Sequence, residues 1–172
     1  MNEVIKNIMT RRSIRDFNDK KVKKEDLELL IKCALTAPSG ANQQTWKMTG
    51  VLNQEVIERI ASVIGKHLGR ENYNMYKPTA LIIPSNEKGS KWGRDDNACA
   101  VENIALAAHS IGIGSVWINQ FVDICEVKEI RELLNDLNIP ENHEVYGIAA
   151  LGYSSSEPFG EKEKTGIFEI IQ

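Results

Sequence analysis

Residues 112–118 read Gly-Ile-Gly-Ser-Val-Trp-Ile, and what lies on either side of them decides the fold. A glycine loop that cradles a dinucleotide follows a strand and opens a helix. Here the order is reversed. Upstream, Ala98, Val101, Ala105 and Ala108 recur at helical spacing in an alanine-rich stretch from Asp95 to Ile111. Downstream, Ser115 to Ile118 is a short apolar run of strand character. Gly112 therefore reads as the residue that ends a helix, and the dinucleotide-fold reading fails.

The flanking periodicities extend this pattern. Val4, Ile5, Ile8 and Met9 predict a helix over 3–12, and Leu27, Leu30, Ile31, Ala34 and Leu35 a second over 24–36, ended by Pro38 and Gly40. Val56, Ile57, Ile60, Ala61 and Ile64 predict a third, stopped at Gly65 or Gly69, and a last helix is expected over 127–137. Strands are expected at 46–52, at 80–83 before Pro84, and at 145–151, with 85–94 as a loop. The two element types do not alternate regularly, so the class is α+β rather than doubly wound. Nothing marks a repeat or a linker, and residues 1–172 are expected to form one domain.

Two polar segments flank the helix expected at 24–36. The first, Arg11-Arg12-Ser13-Ile14-Arg15-Asp16-Phe17, places three guanidiniums and a hydroxyl within five residues of a helix end. Guanidinium forks match phosphate oxygens and stay charged at any working pH. A helix C-terminus explains one or two arginines, but not Ser13 or Arg15. The second segment, Pro38-Ser39-Gly40-Ala41-Asn42-Gln43-Gln44-Thr45-Trp46, offers small residues, backbone amides and three amide side chains. Its Pro, Ser, Gly and Asn also suit a plain turn, yet the length of the run and the Gln pair favour a flat heterocycle with carbonyl and ring-nitrogen edges. Flavin mononucleotide (FMN) has both a phosphate and such a ring.

Taken in order, R-R-S-I-R-x-F, A-P-S-G-x-N-x-Q-x-W, G-I-G-S-V-W-I and A-L-G-Y resemble the nitroreductase family of FMN-dependent oxidoreductases, over about residues 5–155. The resemblance implies a mixed β-sheet flanked by helices. It implies an intertwined homodimer with two flavins at the interface and C-terminal strand exchange. It also implies a ping-pong cycle: NADPH or NADH reduces FMN and leaves, and a small acceptor such as a quinone or nitroaromatic follows on the same flavin face. On that reading Arg11, Arg12, Ser13 and Arg15 hold phosphate and ribityl chain. Pro38, Ser39, Gly40, Asn42 and Gln44 reach the flavin of the other subunit, and backbone from Trp117, Ile118, Asn119 and Gln120 lies at the reactive edge of the ring. Relatives often carry glycine where Asn119 and Gln120 stand, so these side chains are expected to narrow the site. Relatives also carry a basic residue, often Arg, in the arm after L-G-Y, where this chain has Lys162 and Lys164. No side-chain acid or base is required. Two alternatives share the motifs: a flavin-binding or redox-sensing module with little turnover, and a flavin-fragmenting or dehalogenating branch of the scaffold.

Composition narrows the classes. A net charge of −3 and a pI near 5.7 argue against a nucleic-acid partner. The run Lys20, Lys21, Lys23, Lys24 is offset by Asp16, Asp19, Glu25 and Asp26 and reads as a solvated loop. Cys33, Cys99 and Cys125 lack C-x-x-C spacing and read as reduced, buried thiols. Glu3 and Lys6 stand where a signal peptide is apolar, and no apolar run approaches membrane-spanning length, so a cytoplasmic protein is expected. His67, His109 and His143 have no metal-ligand spacing. Asp95 and Asp96 suit a helix N-terminus, and Ser39 lacks a nucleophile-elbow context. After a polar arm the chain turns apolar again at Ile167, Phe168, Ile170 and Ile171, a tail suited to completing a partner's sheet.

Overall fold

The computed structural model describes residues 1–156 and 165–172. Among these residues five α-helices, α1 (Glu3–Thr10), α2 (Lys24–Leu35), α3 (Gln54–His67), α4 (Gly93–Ser110) and α5 (Lys128–Asp136), accompany five strands, β1 (Trp46–Val51), β2 (Ala80–Glu87), β3 (Gly114–Ile118), β4 (His143–Glu144) and β5 (Ile148–Gly152). The sheet runs β1-β2-β5-β3, with β4 beside the far end of β2. Period-two alternation divides two buried layers. Leu81, Ile83, Ile148 and Ala150 face α3 and α5, and Ala80, Ile82, Ala149 and Leu151 face α2 and α4. Small residues on α4 (Ala100 and Ala108, both fully buried) let α2 approach closely enough to seat Leu30 and Ala34.

The class is α+β as expected, but the expected mixed sheet is corrected. Every strand pairing is antiparallel. The reason is topological. Strands β2 and β3 share a direction, since each is antiparallel to β5, and β5 inserts between them. The parallel contact is one bridge, Ser13 to Ser115. The strand expected at 80–83 continues through Pro84 to Glu87. Pro84 falls between residues 80–82, which pair with β5, and residues 86–87, which pair with β4. On that side no neighbour needs the N–H that proline lacks. The strand expected at 145–151 is two pieces, His143–Glu144 and Ile148–Gly152.

Gly112 does end α4. It takes φ +75°, and its N–H donates to the His109 carbonyl while Ile113 N–H donates to Ala108, the paired bonds of a left-handed helix cap. Gly65 does not stop α3, which runs on to His67, and Gly69 takes the left-handed turn instead. Cys125 is buried, whereas Cys33 and Cys99 are only half-buried.

Helix α1 is inverted. Its polar side touches the protein: Asn7 Nδ2 donates to the Leu106 carbonyl and Thr10 Oγ1 bonds His109 Nε2. Its apolar side, Val4, Ile5, Ile8 and Met9, is exposed. The apolar residues of the tail, Ile167, Phe168, Ile170 and Ile171, are exposed as well.

At the β4 end of the sheet, His143 is buried with Nδ1 3.0 Å from Ser85 Oγ. Burial holds its pKa below the ordinary 6.5; Glu87 opposes this, and Lys47 and Arg131 reinforce it. A histidine held neutral in the fold stabilises above its unfolded pKa and loses that contribution as pH falls. Stability is therefore expected to drop as pH is lowered below about 6.5, and His143→Gln to flatten that slope. Urea midpoints of both proteins between pH 7.5 and 5 check this; parallel slopes would show that His143 is not the cause.

Candidate functional site

The segment after α1 is held by two glycines. Gly114 opens β3, Gly152 ends β5, and the two are cross-strand partners. A Cβ on Gly114 would stand 2.8 Å from Ile14, and one on Gly152 would stand 2.9 Å from Phe17. So the Ile14-x-x-Phe17 pair lies directly on the backbone of these two strands. Ile14 N–H donates to the Ser115 carbonyl at 2.9 Å. Asn18 N–H donates to the Tyr153 carbonyl, and Ser154 and Ser156 donate to Asp16, which holds the Asp16 pKa below the usual range. Three of the sequence motifs thus meet in one place.

That packing brings Arg11 and Ser13 beside Trp117. The three share a cleft of about 120 Å³ with Glu102, Ala105 and Ser115. Arg11 Nε lies 3.6 Å from Glu102 Oε1, and Ser13 is exposed. The other two arginines go elsewhere. Arg12 Nη1 donates to the Met9 and Arg11 carbonyls, tending the end of α1. Arg15 lies over the Tyr76 ring, 5.8 Å from its centroid.

Residues 38–44 stand apart from this cleft. Gly40 N–H donates to Asp96 Oδ1 at 2.8 Å, and a Cβ on Gly40 would overlap the Trp92 side chain. Asp96, read from sequence as a helix-terminus charge, is also the anchor of this segment. Beyond it the backbone turns left-handed at Ala41, Asn42 and Gln44, conformations that cost of order 1–3 kcal/mol each and concentrate at functional sites. Gln44 N–H donates to Ser39 Oγ and Gln44 Nε2 to Asn42 Oδ1. With Pro38, Asn42 and Gln44 exposed, the result is a preorganised hook that takes no part in lining its own chain's cleft.

Of residues 117–120, Ile118 is buried in the core and Trp117 and Asn119 are exposed. Gln120 Oε1 is buried with no hydrogen-bond partner among the described residues. Lys162 and Lys164 lie outside the described residues. Sequence reasoning missed a wider groove of about 1100 Å³ beneath the loop after α3, lined in part by Lys21, Arg70, Tyr73 and Lys77. Nearby, Met75, Tyr76 and Lys77 are successive left-handed residues, a feature without a sequence signature because none is glycine. Among the described residues no His/Cys/Asp/Glu cluster is placed to hold a metal, and no helix is long and apolar enough to cross a membrane.

The nitroreductase family profile matches residues 8–77 and 66–153. The chain belongs to the nitroreductase family. A nitroreductase with bound FMN from Bacteroides fragilis is similar at 38% identity, with a TM-score of 0.89 and full coverage of both chains. An FMN-dependent nitroreductase from Clostridium difficile shows 25% identity, a TM-score of 0.83 and 99% coverage of each chain. An Archaeoglobus fulgidus protein named provisionally as an NADH dehydrogenase/NAD(P)H nitroreductase is 37% identical over 163 residues, 91% of this chain and 88% of its own length. In this nitroreductase three of the four family motifs are thus the parts that pack the segment after α1 onto β3 and β5, forming the Arg11–Ser13–Trp117 cleft.

Proposed function

We propose that this nitroreductase binds FMN between two copies of the chain and passes electrons from NADPH or NADH to a small conjugated acceptor such as a quinone or nitroaromatic. The observation that carries this reading is the incomplete cleft. At about 120 Å³ it is well below the 300–1,000 Å³ typical of cofactor-sized ligands. It lies at the end of a helix whose apolar face is bare, and the hook of residues 38–44 takes no part in lining it. A second copy supplies what is missing: a surface for α1 and the tail, and a hook for the cleft.

The donor set fits the ligand. Arg11 and Ser13 offer a guanidinium and a hydroxyl to a phosphate end, and Gln120 offers a buried acceptor that has no hydrogen-bond partner among the described residues. FMN supplies the hydride chemistry; the protein supplies position and electrostatics. Arg11 neutralises phosphate. The hook binds the ring of the partner's flavin. Asn119 and Gln120 narrow the approach to the reactive edge. The chain acts as one cytoplasmic domain, and reductant and acceptor take turns at one face.

The test is the visible spectrum after reconstitution with FMN, followed by anaerobic titration with each nicotinamide. A yellow protein bleached by NADPH or NADH, and recoloured by a nitroaromatic or quinone, is expected. A protein that takes up no FMN refutes the reading. A yellow protein that neither nicotinamide bleaches would favour a flavin-binding module with little turnover, with Asn119 and Gln120 closing the site.

A further inference from the structure

We propose that Asn119 is a specificity-determining residue: it presents its carboxamide NH₂ to an oxygen of the aromatic electron acceptor, and Trp117, lying on Gly147, holds it in that orientation. The proposal deepens the flavin reading above and rests on it. It begins at Gly147, the residue just before β5. A Cβ there would stand 2.0 Å from Trp117 Nε1 and 2.5 Å from Trp117 Cε2. The Nε1 edge of the indole therefore packs directly against the Gly147 backbone, where a side chain would collide with it. From the other side Asn97, buried on α4, donates through Nδ2 to the Gly147 carbonyl at 3.1 Å. The indole thus has a fixed platform although Trp117 itself is 41% exposed.

Trp117 Nε1 donates to Asn119 Oδ1 at 3.3 Å. An indole nitrogen is a donor only, so the carboxamide must turn its oxygen toward Trp117 and its NH₂ away. Asn119 is exposed, and no other side-chain hydrogen bond engages it among the described residues. The outcome is a hydrogen-bond donor of fixed direction on the residue next to Gln120, whose own side chain is left with a buried, unpartnered acceptor. A free asparagine would offer donor and acceptor equally. This one favours ligands whose outer atoms accept, namely nitro and quinone oxygens, over ligands of the same shape that do not. Asn119 touches the acceptor; Trp117 and Gly147 are positioning residues.

The test measures binding without turnover. Oxidised, FMN-loaded protein with no nicotinamide present is titrated with 4-nitrobenzyl alcohol and with 4-isopropylbenzyl alcohol, following the flavin absorbance. The two probes share shape but only the first carries oxygens at the far end. The wild type is expected to prefer the nitro compound by roughly two- to ten-fold, the range for one neutral hydrogen bond. Asn119→Leu should abolish the preference. Trp117→Phe keeps the plate but frees the amide, and should abolish most of it. Asn119→Asp should reverse it, because a carboxylate repels nitro oxygens. A loaded wild type without the preference, or an Asn119→Leu protein that retains it, overturns the proposal and leaves the flavin reading intact. A wild type that takes up no FMN overturns both. If Trp117→Phe does not load, Asn119→Leu still decides, since an exposed side chain is replaced there.

Discussion

Arg11→Ala is expected to weaken FMN binding by roughly ten- to a hundred-fold while changing riboflavin binding only a few-fold. The two ligands differ by the phosphate alone. A charge-assisted hydrogen bond is worth about 1.5–3 kcal/mol, and each 1.4 kcal/mol is about tenfold in affinity. The structure makes Arg11 the informative arginine. It shares the cleft with Ser13 and Trp117, and its intramolecular partner, Glu102, sits 3.6 Å away with a half-exposed side chain that tolerates release. Arg15→Ala should separate FMN from riboflavin less, because its guanidinium lies over Tyr76. Equilibrium titration of apoprotein with both flavins checks this. Equal losses for FMN and riboflavin in Arg11→Ala would show that Arg11 does not hold phosphate.

Removing residues 165–172 is expected to abolish the proposed dimer and its bound flavin together. Ile167, Phe168, Ile170 and Ile171 are from 74% to 100% exposed, an arrangement that a soluble chain keeps only where something covers it. Burying four such side chains on a partner contributes of order 6–12 kcal/mol at about 1.5–3 kcal/mol each, enough to carry most of a stable association. The flavin should leave with the dimer because, on the proposed function, each chain builds only part of a site. Light scattering at micromolar concentration, read beside flavin absorbance, measures both at once. A truncated protein that stays a fully loaded dimer would end the idea, and would leave the bare face of α1 to explain association.

Much of this architecture is legible in the sequence because burial imposes period. The stripes at Leu27, Leu30 and Ala34, and at Ile57, Ile60 and Ile64, match helices to within a few residues, and Gly112 marks its cap by chemistry alone. The same logic misleads at α1. Val4, Ile5, Ile8 and Met9 give a strong helical period, but period tells only that one face avoids water, not which molecule covers it. Pro84 misled in the other direction, since a rule about central strands cannot see a gap between two neighbours. Direction within the sheet was invisible because it depends on where β5 inserts. At the site, the motif residues were legible but their division of labour was not. Arg12 donates to carbonyls at the end of α1 and Arg15 lies over Tyr76, contacts that depend on the folded backbone rather than on the motif. Gly147 had no sequence signal at all, since its role exists only once Trp117 lies across it.

The late insertion of β5 has a consequence for how the chain is made. Residues 148–152 form the central strand between β2 and β3, so on a ribosome the middle of the sheet emerges after both of its neighbours. Until then β2 and β3 each carry an open edge, the kind that templates pairing with other chains. Sheet closure joins residues 80–82 to residues 149–151, a long-range pairing of the sort that folds slowly. The nascent chain therefore passes through a stage in which two open strand edges await β5. Synthesis rate and chaperone supply, more than final stability, should govern how much active protein a cell recovers.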